Sequence, residues 1–263
     1  MIKYLKNKVE RIPLIHWIHI HTEYFSLSFR KYFRSYFAYA RFRKEFFSLS
    51  KNRRNDFTIS WQDIFPCLED STSEMDFEPH YTYHPAWAAR ILAKIKPEKH
   101  IDISSTQYFV LLVSAFIPVE YYEYRPLPVH LRGLECKSAD ITRLPFADNS
   151  VYSLSCMHVL EHIGLGRYGD PLDCNGDLIA AAELSRVVQH NGHLLLVVPM
   201  SDPPKIQFNA HRMYSYRQVL DMFSEFDLQS FSFIRGKDYI EDAHESDTKG
   251  CMFACGCFYF RRK

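Results

Sequence analysis

Residues 193–199 read HLLLVVP, an apolar run with no polar alternation. A strand of this kind has no face it can turn to water. It therefore belongs at the centre of a parallel sheet with helices on both sides. Its surroundings agree. The segment 176–190, GDLIAAAELSRVVQH, places Leu178, Ala181, Ala182, Leu184, Ser185 and Val188 on a packed helical side. Upstream, short strand-like runs at 100–104, 119–124, 134–140 and 151–157 precede it, with a helix expected at 108–116. Downstream come a helix at 214–226 and two further strands at 228–234 and 252–260 with no obvious helix between them. That order predicts an α/β fold: a doubly wound, mostly parallel seven-stranded sheet whose last two strands form an antiparallel edge pair. Ligands of such sheets lie beyond the carboxyl ends of the strands.

The chain of 263 residues has room for this domain and an appendage. Three parts are expected: a basic aromatic extension at 1–55, a linker with a covering helix at 56–98, and the α/β domain at 99–263. Residues 1–54 carry 13 Lys and Arg against 3 Asp and Glu, whereas the rest carries 19 against 28. Within the extension, Phe25, Phe29, Tyr32, Phe33, Tyr36, Ala40 and Phe47 share one face of a helix, opposite Arg30, Lys31, Arg34 and Arg41. Such a helix docks on a domain by its rings or lies on an anionic membrane. No base-reading motif points to nucleic acid. In the linker, Pro66 and Pro79 punctuate a polar stretch. Pro85 suits a first helical turn, Trp87, Ile91 and Ile95 line one side, and Pro97 ends the helix. Seven scattered cysteines fit a reducing, cytoplasmic setting, and no apolar run reaches about 18 residues.

Four of the nine glycines, Gly164, Gly166, Gly169 and Gly176, follow the strand at 151–157 within thirteen residues. They come just after His158, Glu161 and His162. Glycine there permits a tight loop near a ligand. Histidine is a base near neutral pH. Glu161 can orient an imidazole or cap a helix. Arg167, Tyr168, Asp170 and Asp173 give the loop a polar surface that suits a hydroxyl-rich partner or satisfies itself. The segment 208–216, FNAHRMYSY, adds Asn209, His211 and Arg212, and EPHYTYHPAW adds His80, Tyr81 and His84 ahead of the core. No His, Cys or Asp set has the spacing of a metal site, and GLGRYG lacks the Gly-Lys-Ser/Thr of a phosphate loop.

The order ADITRLPFADNSVYSLSCMHVLEHI followed by ELSRVVQHNGHLLLVVP resembles the class I S-adenosylmethionine-dependent methyltransferases over residues 97 to about 260. FPCLED, DFEPHYTYHPAW, HIDIS, PVEYYEYRPL, SCMHVLEHIGLGRYGDPLD and FNAHRMYSY resemble the family catalogued as domain of unknown function 268, over about residues 60 to 235. The first resemblance implies S-adenosylmethionine as cofactor and assigns roles. Asp102, Ser104 and Ser105 form the turn under the methionine end, where DISSTQY has Ser104 and Thr106 in place of the family's glycines. Those hydroxyls suit a carboxylate; the alternative is a capped turn that holds nothing. Glu123 corresponds to the residue that binds the ribose diol, Asp140 to the one facing the adenine amino group, and Ile141 to an apolar adenine contact. Alternatives are a salt bridge of Glu123 to Arg125 and a turn-forming Asp140. His158, His162 and His211 are the candidate bases; Glu161, Arg167, Tyr168, Asp170, Asn209 and Arg212 the candidate acceptor contacts. The expectation is O-methylation of a small molecule or a sugar, as in surface-polysaccharide assembly. The rival is a non-catalytic module of the same fold that acts through its basic arm.

Overall fold

The computed structural model describes residues 35–51 and 56–263. Phe25, Phe29, Tyr32, Phe33, Arg30, Lys31 and Arg34 lie outside the described residues. The chain divides into two units, Met1–Asp76 and Phe77–Lys263. The polar stretch from residue 56 thus falls with the extension, and the helix before residue 97 with the α/β domain.

In the first unit, helix α1 is described over residues 35–51. Phe42, Phe46 and Phe47 pack around Trp61, with ring centroids 6.2, 4.8 and 5.8 Å away. Tyr36, Phe37 and Phe47 remain more than half exposed.

The second unit opens with α2 (Pro79–Ile95), capped by the Glu78 side chain on the Tyr81 amide. Pro79 occupies the first turn, so the helix starts six residues before Pro85, which lies inside it. Strand β1 (His100–Asp102) leads into α3 (Gln107–Val113), and β2 (Val119–Glu123), β3 (Leu134–Ser138) and β4 (Val151–Met157) follow. Helix α4 (Gly176–Val187) precedes β5 (Val188–Met200). A small hairpin, β6 (Lys205–Gln207) and β7 (His211–Met213), then leads to α5 (Tyr216–Met222), β8 (Phe226–Arg235), β9 (Asp238–Ile240) and β10 (Ala254–Arg262).

The main sheet has the order β3-β2-β1-β4-β5-β10-β8-β9. The first five strands are parallel; β10 is antiparallel to both β5 and β8. The mostly parallel, doubly wound architecture is the one expected. It has eight strands because β9 pairs with β8 and adds an edge beyond the expected seven. The antiparallel strand β10 sits inside the sheet, between β5 and β8.

The central run behaves as its composition demands. Leu194, Leu196 and Val198 join one apolar cluster, with Ala180, Ala181 and Leu184 of α4 and Val219 and Phe223 of α5. Leu195 and Val197 join the opposite cluster, with Trp87, Ile91 and Leu92 of α2 and Phe109, Val110 and Val113 of α3. Alternate side chains of one strand thus serve two cores, as the pleat dictates. All these buried residues belong to the second unit. Among the described residues, no helix is long and apolar enough to cross a membrane, and all seven cysteines are free thiols.

Candidate active site

The parallel strands end at a cavity of about 750 Å³. Its walls come from the turn after β1 (Ile103, Ser104, Ser105), the end of β2 and the chain beyond it (Glu123 to Pro128), the segment 139–142, and the stretch from His158 through the glycine loop. This volume lies within the range of small-molecule sites, about 300–1,000 Å³.

The turn after β1 is built from side chains that face inward. Asp102 is fully buried and its Oδ2 accepts hydrogen bonds from Ser104 Oγ (2.9 Å) and Ser155 Oγ. Ser104 Oγ also accepts the Met157 amide at 3.0 Å. Burial pushes the Asp102 carboxyl up to about 7, against the lowering effect of the two serine hydroxyls, and its Oδ1 has no hydrogen-bond partner among the described residues. Ser155 is in turn 2.8 Å from Nε2 of His100, whose Nδ1 meets Ser153 Oγ at 2.8 Å. Burial lowers His100 to about 3, so the ring is neutral. Since the Ser155 proton goes to Asp102, His100 Nε2 donates and its Nδ1 accepts. Ser155 and His100 carry no motif, and sequence reasoning passed over both.

This geometry corrects one expectation. Asp102 lies beneath the cavity and is not among its lining residues, because its carboxylate is enclosed by Ser104 and Ser155. The residues at the family's glycine positions need no left-handed backbone: Thr106 has φ −102°, and Ser104 is not among the positive-φ residues. Thr106 Oγ1 is held by His84 Nε2 at 3.1 Å. Ser105 is exposed and faces the cavity, 3.4 Å from the Tyr81 hydroxyl.

Glu123 lines the cavity at the end of β2 and accepts the Arg125 amide. Among the described residues it forms no ion pair with the Arg125 guanidinium, which instead lies 5.4 Å over the Tyr168 ring. Asp140 turns its Oδ1 onto Thr142, accepting from its amide at 2.8 Å and its hydroxyl at 2.7 Å. It is therefore a turn-former that also lines the cavity. Ile141 beside it is buried against the same cavity.

His158 sits just past β4 with φ +57°. Its Nδ1 meets Glu161 Oε1 at 2.9 Å, and its Nε2 faces Cys255 Sγ at 3.6 Å. Both ring nitrogens are thus directed at protein groups. Glu161 is buried, so it orients His158 and does not reach a substrate. His162 differs. Its Nδ1 donates to the Ala210 carbonyl at 2.7 Å, which leaves the lone pair on Nε2. Burial lowers its pKa, over the raising effects of Glu161 and the Ala210 carbonyl, and it lines the cavity. His211 is half-buried, 6.2 Å from His162 by ring centroid and stacked on Phe253. It is not a lining residue, and its Nε2 has no hydrogen-bond partner among the described residues.

The glycine loop folds on itself. A Cβ at Gly164 would lie 2.1 Å from the Asp173 carbonyl, and φ there is +79°. Asp170 accepts the amides of Gly164 (2.8 Å), Gly166 (3.2 Å) and Tyr168 (3.2 Å). Burial raises this carboxyl, but the amides outweigh that and hold it below its ordinary value. Arg212 is buried and donates to the carbonyls of Ile163 (2.6 Å), Cys174 (3.3 Å) and Asp173 (3.4 Å), with Asp177 3.4 Å away. Arg212 therefore ties the loop to β7, which corrects its expected place as an acceptor contact. Asn209 sits with φ +63° in the exposed turn of the β6–β7 hairpin. Arg167 shares the Ala210 carbonyl with His162 and covers the Tyr168 ring at 5.1 Å. Tyr168 lines the cavity.

Solved structures share this fold. An N-methyltransferase, NodS, from Bradyrhizobium japonicum, solved with S-adenosylhomocysteine, superposes with a TM-score of 0.51 at 11% identity, over 71% of this chain and 89% of that one. The 1,6-didemethyltoxoflavin-N1-methyltransferase of Burkholderia thailandensis gives a TM-score of 0.50 at 11% identity, over 87% and 90%. The fold is that of the class I methyltransferases. The profile of a family described as Caenorhabditis protein of unknown function, DUF268, matches residues 146–247. That span holds β4, the glycine loop, α4 and β5 through β9. No functionally curated protein matches the chain in sequence.

Proposed function

We propose that the protein is an S-adenosylmethionine-dependent methyltransferase acting on a hydroxyl group of a small molecule or sugar. The observation that carries this reading is the cavity at the carboxyl ends of the parallel strands, with Glu123 at the tip of β2, Ile141 on an adjacent wall and His162 in the same lining, its Nδ1 on the Ala210 carbonyl and its Nε2 3.8 Å from Glu161 Oε1. The cofactor supplies an electrophilic methyl group. Glu123 accepts the two ribose hydroxyls, as one carboxylate can. Ile141 offers an apolar surface to the base, and Ser105 offers its hydroxyl to the amino-acid end. His162 takes the acceptor proton on Nε2 while the Ala210 carbonyl fixes its tautomer. The protein's main contribution is to hold two reactants in line. Tyr168, Arg167 and Arg125 form the polar rim suited to a hydroxyl-rich acceptor.

A second reading is favoured by the turn after β1. Ser104 and Thr106 commit their hydroxyls to Met157, Asp102 and His84, although Ser104 and Ser105 both line the cavity. A methyltransferase-like module that binds a partner without catalysis would tolerate this. Calorimetric titration with S-adenosylmethionine and S-adenosylhomocysteine separates the two. Micromolar binding, weakened about tenfold or more (about 1.4 kcal/mol) by Glu123→Ala and by Asp140→Ala, is the expected result. A folded wild-type protein that binds neither compound supports the second reading.

A further inference from the structure

We infer that His80, His158 and Cys255 form a binding site for a soft divalent metal, with zinc the best match. The three residues come from distant parts of the chain: the first turn of α2, the exit of β4 and the start of β10. All three are buried, and one ligand atom from each lies within 4.8 Å of the others. The edge between His158 Nε2 and Cys255 Sγ is 3.6 Å. A tetrahedral zinc with ordinary Zn–N and Zn–S distances requires an N···S edge of about 3.6 Å. A small rotation of His80, which packs on His158 and Phe253, closes the remaining edges.

The surroundings fit the same chemistry. Glu161 Oε1 holds His158 Nδ1 at 2.9 Å. This directs the lone pair of Nε2 at Cys255, the carboxylate–histidine arrangement that orients a metal-bound imidazole. Metal binding replaces the thiol proton of Cys255, which passes to solvent. The thiolate and the Glu161 carboxylate then balance a dication, so no net charge is buried. Two imidazoles and a thiolate select zinc or a similarly soft ion over magnesium or calcium. Three protein ligands leave a fourth position open. The ion ties α2 to the ends of β4 and β10, so its loading also stabilises the domain. The proposal does not depend on methyl transfer, and S-adenosylmethionine titration does not bear on it.

The test uses the full chain, purified without a histidine tag and dialysed against metal-free buffer. Elemental analysis after zinc loading should give about one zinc per chain. Cobalt(II) loading should give an intense thiolate-to-cobalt band in the near ultraviolet. Cys255→Ser should abolish that band, and His80→Gln should weaken binding at least tenfold. Cys251→Ser, a buried thiol outside the cluster, should leave both readouts unchanged. Folded wild-type protein without the cobalt band, or Cys255→Ser protein that keeps it, overturns the assignment. If Cys255→Ser does not fold, the wild-type spectrum alone decides.

Discussion

Each histidine near the cavity is defined by what its two nitrogens already do. His162 donates from Nδ1 to a backbone carbonyl, and its Nε2 stands 3.8 Å from Glu161 Oε1, beyond hydrogen-bond distance, whereas both nitrogens of His158 face protein groups more closely. His162→Gln should therefore lower turnover about 10²–10⁴-fold with little change in cofactor affinity. An assay with the acceptor found by screening checks this; an unchanged rate would remove His162 as the base. Because burial lowers its pKa, the ring should be neutral at pH 7 to a greater extent than an ordinary histidine. Activity should then be flat through neutrality and fall only on the acid side of the ordinary histidine value. Asp102 gives the opposite kind of pH signature. Its carboxyl is raised to about 7 by burial, so the folded state binds this proton more tightly than the unfolded state. The resulting stabilisation is complete below the ordinary carboxylate pKa and is lost as pH rises through about 7. Melting temperatures at pH 5 and pH 8 should fall more for the wild type than for Asp102→Asn. Equal slopes would show that Asp102 does not titrate in this window.

At the level of elements, the loop after β4 depends on backbone that only glycine supplies. Gly164→Ala places a methyl group against the Asp173 carbonyl at positive φ. The variant should lose roughly 1–3 kcal/mol of stability, seen as a lower denaturation midpoint; an unchanged midpoint would mean that the loop relaxes freely. The sequence announced this loop through its glycines, and it announced β5 through a run with no polar side. Boundaries were harder. Helix α2 begins at Pro79 and not near Pro85, because Pro85 is accommodated within the helix at the loss of one amide donor. Strand β9 is three residues long and carries no periodicity that would reveal it. Site residues split along the same line. Glu123 lies at the end of a readable strand and Ile141 just past one, and both line the cavity. Arg212 and Glu161 look functional by type, but tertiary packing commits them to the loop and to His158. Cys255 carried no signal beyond sitting in a strand, since His158 is 97 residues away in sequence and His80 farther still.

The molecule as a whole is electrically divided: residues 1–54 carry 13 basic and 3 acidic residues, the remainder 19 and 28. On this charge division alone, a membrane with anionic lipid would attract the first part and repel the second. Each basic residue at such a surface contributes about 1 kcal/mol, and salt screens the effect. Aromatic side chains add an apolar term. In the described part of the extension Tyr36 and Phe37 are 65% and 67% exposed, beside the exposed Arg41, Arg43 and Lys44. Among the described residues the buried apolar clusters draw only on residues after Phe77, so the fragment 77–263 should fold alone. Full-length protein should therefore co-sediment with phosphatidylserine-containing vesicles at low salt and be released as salt is raised. Fragment 77–263 should stay in the supernatant while keeping its cofactor affinity. Equal sedimentation of the fragment would move the membrane contact to the α/β domain. No sedimentation of the full chain would leave the basic extension to bind a protein partner instead.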